Sequence, residues 1–312
     1  MTTVLLTDRA WPDDRVERDV LESAGLRLVT GPPEPSDAAT IDALVAEHQP
    51  AAILTCWAEV SATAIESCAA LQVIARMGVG LDNIDVAQAT SRGVLVTNVP
   101  DYCVEEVSDH AVGLVLAWTR GLVPADRDVR AGQWNPAGAR LRRLSDLACG
   151  VVGFGRIGRR TAEKLRALGA RVVTSRPSPL DELLATSDVV ILHAPLTETT
   201  RHLIGARELA LMPPGSLLVN VSRGGLVDTD ALAASLHAGH LGGAGLDVIE
   251  SEPAVPAELL AHPAVVITPH IAFSSDASLV ELRRSAAEEV VRVLRGETPR
   301  YPCNNPSTIG VS

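Results

Sequence analysis

The sequence predicts an α/β protein with two parallel-sheet domains, and three observations lead to that prediction. Short apolar stretches of strand length alternate with amphipathic helical patterns along most of the 312 residues. Pro100 interrupts this alternation, and a long, largely apolar helix predicted over residues 105–120 separates it into two series. A chain of this length is long enough for two domains, each with its own buried core.

The first series runs from residue 4 to residue 97. Its strands are predicted at residues 4–7, 26–29, 52–55, 73–75 and 94–97, and its helices at 14–24, 41–47 and 62–68. Strands joined by helices run parallel, because each connection has to cross the sheet. Gly78, Val79 and Gly80 follow the fourth strand, so this glycine loop is expected at the edge where open α/β sheets bind ligands.

The second series begins after a segment over residues 123–146 that is rich in Arg, Gly and Pro and is expected to cross the surface of its domain. Strands are predicted at residues 171–174, 188–192, 216–221, 243–247 and 264–267, and helices at 180–185 and 228–238. An amphipathic helix over residues 277–295 follows, and its position predicts that the chain returns to pack on the first domain.

The second domain is organised around residues 147–170, where a short apolar strand leads through Gly153, Gly155 and Gly158 into an amphipathic helix. In a dinucleotide site the first glycine allows the tight turn, the second lets the backbone approach the pyrophosphate, and the third lets helix and strand pack closely. The pyrophosphate would lie on the helix N-terminus, where unpaired N–H groups favour negative charge. The alternative is a purely structural glycine turn, but the flanking strand and helix favour dinucleotide binding.

The composition argues against several other classes of protein. Hydrophobic residues make up 46% of the chain and charged residues 21%, as in ordinary globular proteins. No apolar run reaches membrane-spanning length and no leader precedes the first strand, so we expect a cytoplasmic protein without membrane contact. The net charge of −11 argues against nucleic-acid binding. The five cysteines are scattered and form no CxxC pair, which suggests neither disulfides nor a metal site.

Polar residues follow the last three strands of the second series at the point where each strand ends. Arg223 follows the first of them beside two glycines, an acidic turn with Asp247, Glu250 and Glu252 follows the second, and His270 follows the third. An arginine can form a two-pronged pair with a carboxylate, and a histidine titrates near neutral pH. Each also has a plainer interpretation, as a surface arginine, a solvated acidic turn or a loop histidine.

Taken together, the three stretches favour an active site. A carboxylate beside a histidine stabilises the charged form of the imidazole, which prepares it to give a proton to a developing alkoxide. An arginine nearby would hold an anionic substrate and polarise its carbonyl. With a nicotinamide at the glycine turn, these residues predict hydride transfer to a 2-oxo acid.

The chain resembles the D-2-hydroxyacid dehydrogenases in six motifs, which occur in the family's order over nearly its full length. They are RMGVGLDNID (76–85), VGFGRIG (152–158), SDVVILHAPLT (187–197), NVSRGGLVD (220–228), LDVIESEP (246–253) and TPHIA (268–272). The resemblance implies Rossmann-like or flavodoxin-like parallel-sheet domains. It places a dinucleotide-binding domain of residues 100–271 inside a substrate-binding domain of residues 1–99 and 272–312. It also implies reversible hydride transfer between NAD(P)H and a small 2-oxo acid, and a homodimer.

The resemblance also implies roles for residues at matching positions. Arg223 would bind the substrate carboxylate and carbonyl, His270 would be the acid and base, and Glu252 would support His270. The backbone amides of Val79 and Gly80 would hold the substrate carboxylate. The residues expected at the cofactor, with Asp247 at the nicotinamide carboxamide, are Gly153, Gly155, Arg156, Ile157, Gly158, Ser175, Arg176, His193 and Asp247.

One departure from the family bears on the cofactor. Where NAD-using members have an acidic residue that binds the ribose hydroxyls, this chain has Arg176, preceded by Ser175. An arginine and a hydroxyl would bind a 2′-phosphate that a carboxylate would repel. We therefore expect NADP(H) to be favoured, with NAD(H) as the alternative.

A second departure is a deletion. Between Arg176 and the strand predicted at 188–192 the family has a further helix and strand, but this chain has room for one short helix only. In the strand order 3-2-1-4-5-6 the missing strand is the outer edge, so its loss leaves the centre of the sheet intact. We expect a smaller sheet and a more open adenine side.

Several alternatives stay open. A dinucleotide-sensing regulatory protein of the same fold, similar to a corepressor, would keep most of the site, and a 3-phosphoglycerate dehydrogenase without a regulatory domain would keep all of it. Two other enzymes of the same fold resemble this chain less. Formate dehydrogenases carry Gln where this chain has Glu252, and phosphite dehydrogenases need a lysine that this substrate domain lacks. Two groups are either substrate contacts or ordinary loop and surface residues: Arg9, Trp11, Cys56 and Trp57 in one, and Arg140, Arg142 and Arg143 in the other.

Overall fold

The computed structural model describes residues 1–9, 11–138, 141–175 and 179–306. The chain divides into two compact units, Met1–Tyr102 with Ser275–Ser312 (unit 1) and Cys103–Ser274 (unit 2). The domain boundaries predicted from the sequence lie slightly earlier, at residue 99 against 102 and at residue 271 against 274. The substrate and cofactor roles of the two units remain predictions.

The helices and strands follow one another in the alternation that the sequence suggested. The first series is β1 (Thr3–Leu6), α1 (Arg15–Ser23), β2 (Arg27–Thr30), α2 (Ala38–His48), β3 (Ala52–Thr55), α3 (Ala62–Ser67), β4 (Val73–Arg76), α4 (Val86–Ser91) and β5 (Leu95–Thr97). The next elements are α5 (Val104–Thr119), α6 (Leu122–Arg130), β6 (Ala148–Val152), α7 (Arg156–Ala167), β7 (Arg171–Thr174), α8 (Leu180–Ala185) and β8 (Val189–Leu192). The last are α9 (Ala206–Leu211), β9 (Leu217–Asn220), α10 (Thr229–His237), β10 (Gly243–Leu246), α11 (Ala257–Ala261), β11 (Val265–Ile267) and α12 (Asp276–Leu294).

Unit 1 contains a five-stranded parallel sheet in the order β2-β1-β3-β4-β5. The central strands β3 and β4 are buried along their whole length, as expected when helices cover both faces of a parallel sheet. Helix α12 joins this unit through a buried ion pair, in which Arg283 Nη2 lies 2.8 Å from Glu17 Oε2 of α1. Because both charges are shielded from water, removing one partner alone would leave the other uncompensated.

Unit 2 contains a six-stranded parallel sheet in the order β11-β10-β9-β8-β6-β7. The described residues between Ser175 and Val189 hold helix α8 and no strand, which confirms for that part of the chain the predicted loss of an edge strand. Strand β7 is consequently the outermost strand, and none of its residues is fully buried. The buried strands β6, β8 and β9 keep the centre of the sheet, so the deletion does not disturb the edge at which ligands bind.

Four helices, α4, α6, α9 and α11, were not predicted from the sequence. Helices α4, α9 and α11 are five or six residues long, which is too short to show an apolar period, and α6 has no buried residue, so its apolar side chains give no core-facing stripe to recognise. Over the described ranges, no helix is both long and apolar enough to span a membrane.

Candidate active site

The ends of three neighbouring strands bring the predicted catalytic residues to one edge of the sheet in unit 2. Strands β9, β10 and β11 are adjacent and parallel, so their carboxyl ends lie side by side. Arg223, Glu252 and His270 lie in the loops that follow these strands. Residues far apart in the sequence therefore come from successive loops of a single sheet edge.

Glu252 and His270 form a hydrogen-bonded pair, with 2.9 Å between Glu252 Oε2 and His270 Nδ1. The other carboxylate oxygen, Oε1, accepts from the backbone N–H of Ile249 at 2.9 Å. Burial by itself would raise the pKa of Glu252, but the hydrogen bond and charge of His270, with the charge of Arg223, hold this pKa below its ordinary value. An ionised Glu252 accepts the Nδ1 proton, which leaves Nε2 of His270 for a proton transfer.

The loop that carries Arg223 packs directly on the loop that leads to Glu252. A Cβ atom on Gly224 would lie 2.0 Å from the carbonyl carbon of Ile249, so only glycine permits this approach. Asn220 shapes the same turn, since its side chain donates to the carbonyl of Arg223 at 2.8 Å. The Arg223 guanidinium donates to the carbonyl of Ser222 at 2.8 Å, and its charge acts on Glu252.

His270 has a left-handed backbone conformation, with φ of 53°, which a residue other than glycine adopts only when its surroundings impose it. Asp247 supplies much of that constraint. Its carbonyl accepts from the His270 N–H at 2.8 Å, and its carboxylate accepts from the N–H groups of Ile271 and Ala272 at 3.0 and 2.9 Å. The side chain of Asp247 is only 1% exposed. Its contact with the nicotinamide carboxamide stays a prediction.

The glycine turn joins β6 to α7, and its three glycines meet different surroundings. Gly153 has φ of 92°, and a Cβ atom there would lie 2.5 Å from backbone atoms of both His193 and Ala194. A Cβ atom on Gly158 would lie 2.0 Å from the carbonyl oxygen of Gly153. A Cβ atom on Gly155 would meet no protein atom within 4 Å, so this position leaves room for a ligand.

The start of α7 offers hydrogen-bond donors at the same place. The amides of Gly155 and Ile157 precede the first helical hydrogen bonds, and within the described residues they donate to no acceptor of the chain. Arg156 is the first residue of the helix and is exposed. These features suit a pyrophosphate, which would be bound by open amides and the positive end of the helix dipole.

Ser175 and His193, which were also predicted to bind the cofactor, lie next to the glycine turn. Ser175 Oγ accepts from the backbone N–H of Gly153 at 3.1 Å, so it braces the turn and keeps its own proton for another acceptor. His193 follows β8, and burial lowers its pKa to about 4, so its ring is neutral at pH 7. Its Nε2 is shielded from solvent and finds no hydrogen-bond partner in the described part of the chain. Arg176 lies outside the described residues.

In unit 1, the loop after β4 presents Val79 and Gly80. Their neighbours fix the loop through its carbonyl groups, because Asn98 Nδ2 donates to the carbonyl of Val79 at 2.7 Å and the N–H of Val99 donates to that of Gly78 at 3.0 Å. The N–H groups of Val79 and Gly80 donate to no acceptor among the described residues. Two amide donors are therefore open to an anion.

The residues with two interpretations in unit 1 are held by the protein itself. Asp8 is fully buried and accepts from the N–H groups of Cys56 and Trp57 at 3.0 and 2.7 Å, which fixes the loop after β3. Burial raises the pKa of Cys56 to about 12, so this thiol is not a nucleophile at neutral pH. Trp11 is 6% exposed and lies beneath the Arg283 guanidinium, and the Nε of Arg9 is shielded from solvent.

In the arginine cluster near residue 142, Arg142 is held by the protein itself. Arg142 stacks over the Trp118 ring at 4.4 Å and donates to the carbonyl of Gly215 at 2.7 Å. Its charge is therefore committed to packing. Arg140 lies outside the described residues. In the described ranges, no group of three or more His, Cys, Asp or Glu side chains could hold a metal ion.

Sequence reasoning assigned no role to several residues that fix these loops. Three lie outside the six motifs and three within them: Asp8, Asn98 and His110, and Asn220, Gly224 and Thr268. All of them act through backbone groups or through another side chain. The one available signal was their position directly after or facing a strand end, which does not distinguish a supporting residue from a neutral one.

Comparison with known proteins places this geometry in one family. Residues 112–272 match the family model for the D-isomer specific 2-hydroxyacid dehydrogenase, NAD binding domain. The chain is 39% identical to the glyoxylate reductase of Thermococcus gammatolerans over 250 residues, which are 73% of this chain and 75% of that one. It is also 39% identical to the D-3-phosphoglycerate dehydrogenase of Mycobacterium tuberculosis over 252 residues, which are 76% of this chain but 48% of that one.

Solved structures agree over almost the whole chain. The TT0316 protein of Thermus thermophilus matches with a TM-score of 0.89 and 35% identity, covering 97% of this chain and all of that one. The NADPH-dependent glyoxylate/hydroxypyruvate reductase of Sinorhizobium meliloti, in complex with NADP and malonate, matches with a TM-score of 0.84 and 30% identity over 96% of each chain. The D-lactate dehydrogenase of Aquifex aeolicus, complexed with NAD and lactic acid, has a TM-score of 0.83 and 28% identity over 94% of this chain and 96% of that one.

Proposed function

The chain belongs to the D-isomer specific 2-hydroxyacid dehydrogenase family of oxidoreductases, and from that premise we propose that it reduces a small 2-oxo acid with NADPH. The single observation that carries the proposal is the pair of Glu252 and His270, 2.9 Å apart, at the same sheet edge as Arg223. A bound nicotinamide would supply the hydride. The side chains of this chain would orient the acid and supply the proton.

The proton would come from His270. Because Glu252 is ionised, it stabilises an imidazolium and holds Nδ1, so Nε2 is the nitrogen that gives its proton to the forming alkoxide oxygen. In the reverse direction the same nitrogen takes the proton from the 2-hydroxy group. Glu252 touches no reacting atom in this scheme and acts through the imidazole.

The substrate would be held as an anion. A guanidinium at Arg223 pairs with a carboxylate and polarises the neighbouring carbonyl. In unit 1, the open amides of Val79 and Gly80 would suit a carboxylate, because each N–H group can donate to one of its oxygens. Relatives at 39% identity named glyoxylate reductase and D-3-phosphoglycerate dehydrogenase make glyoxylate the first acid to test and 3-phosphohydroxypyruvate the next.

The first experiment measures oxidation of NADPH by the purified protein with glyoxylate, hydroxypyruvate, pyruvate and 3-phosphohydroxypyruvate. We expect turnover with at least one acid and a fall in kcat of about a thousandfold or more in His270→Ala, because the acid is lost. The matched control is His237→Ala, which removes an exposed histidine from the last turn of α10 and should keep full activity. Turnover that survives in His270→Ala would contradict the proposal.

The cofactor residues support NADP(H) through charge. The Oγ of Ser175 retains a proton to donate, and Arg176 supplies a positive charge at the position that follows it. We expect Arg176→Asp to reverse the preference for NADPH over NADH, because a carboxylate repels the 2′-phosphate. Arg166→Asp, an exposed change within α7, is the control. An unchanged ratio of kcat/KM for the two cofactors would refute the assignment.

A regulatory protein that senses the dinucleotide is the second candidate. It would keep the glycine turn and bind the cofactor but reduce no acid. Tight NADPH binding without turnover on any of the four acids would favour that alternative over the reductase.

We also propose that the protein is a homodimer. Five exposed large hydrophobic side chains lie within 20 residues of one another, in and after α6: Leu122, Val123, Val129, Trp134 and Leu141. Helix α6 has no buried residue, and a helix with an apolar stripe is stabilised when a partner covers it. Leu122→Glu with Val129→Glu should therefore give a monomer in light scattering, whereas Leu260→Glu at a separate exposed position should not. A cytoplasmic location and the lack of nucleic-acid and membrane partners remain predictions.

A further inference from the structure

We propose that Asp247, Thr268 and His110 form a chain of hydrogen bonds, the positioning chain, that holds His270 in its working conformation. His110 is its remote end and lies on α5. The inference rests on the proposed function for its kinetic test, while a second measurement below does not depend on turnover. None of the three residues gives or takes the reacting proton.

The first link is Asp247. Its carbonyl and both carboxylate oxygens accept from the N–H groups of His270, Ile271 and Ala272 in turn. Three successive amides directed at one residue impose the tight bend in which His270 has a φ of 53°. A left-handed conformation of a histidine is unfavourable by itself, and these contacts offset that cost.

The second link is Thr268. Its Oγ1 lies 2.5 Å from Asp247 Oδ1, a distance at which the hydroxyl donates to the carboxylate. A hydroxyl has one proton, so with that proton directed to Asp247 the oxygen can only accept from other neighbours. The buried carboxylate, 1% exposed, therefore receives a short hydrogen bond in addition to the two amides.

The third link is His110, whose Nε2 lies 2.9 Å from Thr268 Oγ1 and 3.6 Å from Asp247 Oδ1. Since Thr268 accepts here, Nε2 of His110 carries the proton and donates it. The donor fixes the rotation of the hydroxyl and places a polar N–H beside a buried carboxylate. His110 thereby stabilises the charge on which the bend at His270 depends.

The consequence for catalysis is geometric. A loosened bend would move the imidazole away from Glu252, and a displacement of about 1 Å in a proton donor is enough to slow a reaction about a hundredfold. Loss of the positioning chain should therefore lower kcat and leave KM for both substrates nearly unchanged. A residue that contacted the nicotinamide would instead raise KM for NADPH.

The kinetic test uses two matched pairs, Thr268→Val with Thr268→Ser, and His110→Leu with His110→Gln. We expect kcat to fall about 30-fold in Thr268→Val and about 10-fold in His110→Leu, with KM values within about twofold. The conservative variants keep the hydroxyl and a donor near Nε2, so they should recover most of the activity. The double variant Thr268→Val/His110→Leu should be no slower than Thr268→Val alone, because His110 acts through Thr268.

Amide hydrogen exchange gives a readout that is independent of turnover. The amides of residues 270–272 should exchange faster in Thr268→Val and His110→Leu than in the wild type, while those of β6 should not change. If the wild type reduces no acid, the proposed function fails and exchange still tests the positioning chain. If Thr268→Val does not fold, Thr268→Ala and His110→Leu carry the test.

Three results would overturn the proposal. They are equal exchange at residues 270–272 in all variants, effects of Thr268→Val and His110→Leu on kcat that multiply in the double variant, and a rise in KM for NADPH at constant kcat.

Discussion

Two glycine loops follow parallel strands in this protein, Gly78–Gly80 after β4 in unit 1 and Gly153–Gly155 after β6 in unit 2. Each leaves backbone amides without an acceptor among the described residues, and the two are alike in sequence, with two glycines around a single larger residue. They differ in what comes next. The second loop leads directly into α7, twelve residues long, while the first turns through residues 81–85 before a helix of six residues.

The difference matches the two anions proposed for the loops. A pyrophosphate carries more charge than a carboxylate, and a long helix adds a dipole to the open amides. A carboxylate requires only two N–H groups. If both proposals hold, the same glycine spacing serves two kinds of anion, and the element that follows the loop distinguishes them.

The loops also differ in what each first glycine touches. A Cβ atom on Gly153 would collide with backbone atoms of His193 and Ala194 at 2.5 Å. A Cβ atom on Gly78 would lie 2.5 Å from Nη1 of Arg76, the far end of a flexible side chain. The backbone atoms at residues 193 and 194 cannot move without shifting the end of β8. The Arg76 guanidinium is a side-chain group, but it is buried and donates to the carbonyl of Met77, so it can yield only in part.

The largest effect on the free energy of unfolding should come from replacing the first glycine of each loop. We expect Gly153→Ala to lower the free energy of unfolding by about 3–5 kcal/mol, through a backbone clash and a positive φ, and to abolish cofactor binding. Gly78 also has a positive φ, of 155°, so Gly78→Ala should lower it too, but by less, about 1–3 kcal/mol, because its added methyl group meets a side chain and not backbone. Urea unfolding of both variants measures the difference. Equal losses would show that the two turns are equally rigid.

A smaller effect should appear in the pH dependence of the free energy of unfolding, through His193, whose backbone faces Gly153. Burial lowers the pKa of His193 to about 4, whereas an unfolded histidine titrates near 6.5, so the unfolded state takes up more protons below that pH. His193 therefore contributes stability that is present above pH 6.5 and is lost as the pH falls towards 4. Between pH 7 and pH 5 the wild type should lose about 2 kcal/mol more than His193→Gln. Parallel curves for the two proteins would contradict this prediction, and exposed His237→Gln is the control.

The smallest effect on stability should come from Gly155→Ala. A Cβ atom there meets no protein atom within 4 Å, so the free energy of unfolding should change by no more than about 0.5 kcal/mol. Affinity for NADPH should nevertheless fall about tenfold or more, because the methyl group would occupy the space proposed for the pyrophosphate. A fluorescence titration measures the affinity. Unchanged binding would mean that the cofactor does not approach this glycine.

The longer helices and strands, and the polar residues that follow the strands, could be predicted from the sequence because both have a simple physical signature. Buried parallel strands appear as apolar runs, and a polar residue directly after such a run lies at the sheet edge, as Arg223 and His270 do. The structure adds what no periodicity encodes, which is the atom that each group faces. Ser175 was expected at a phosphate and its Oγ braces Gly153, while Asp247 was expected at the nicotinamide and its carboxylate holds the bend at His270.

Strand β7 has a consequence for how this sheet could change during evolution or in the laboratory. In the described part of the chain its one strand partner is β6, so it can gain or lose a neighbour on its other side without altering the register of any other strand. The missing strand and helix could therefore be grafted back after Ser175 as a single cassette. The outer side of β7 faces no other strand among the described residues, and an open strand edge is a template for pairing between molecules. The shorter sheet therefore has an edge that must be protected from pairing with another molecule.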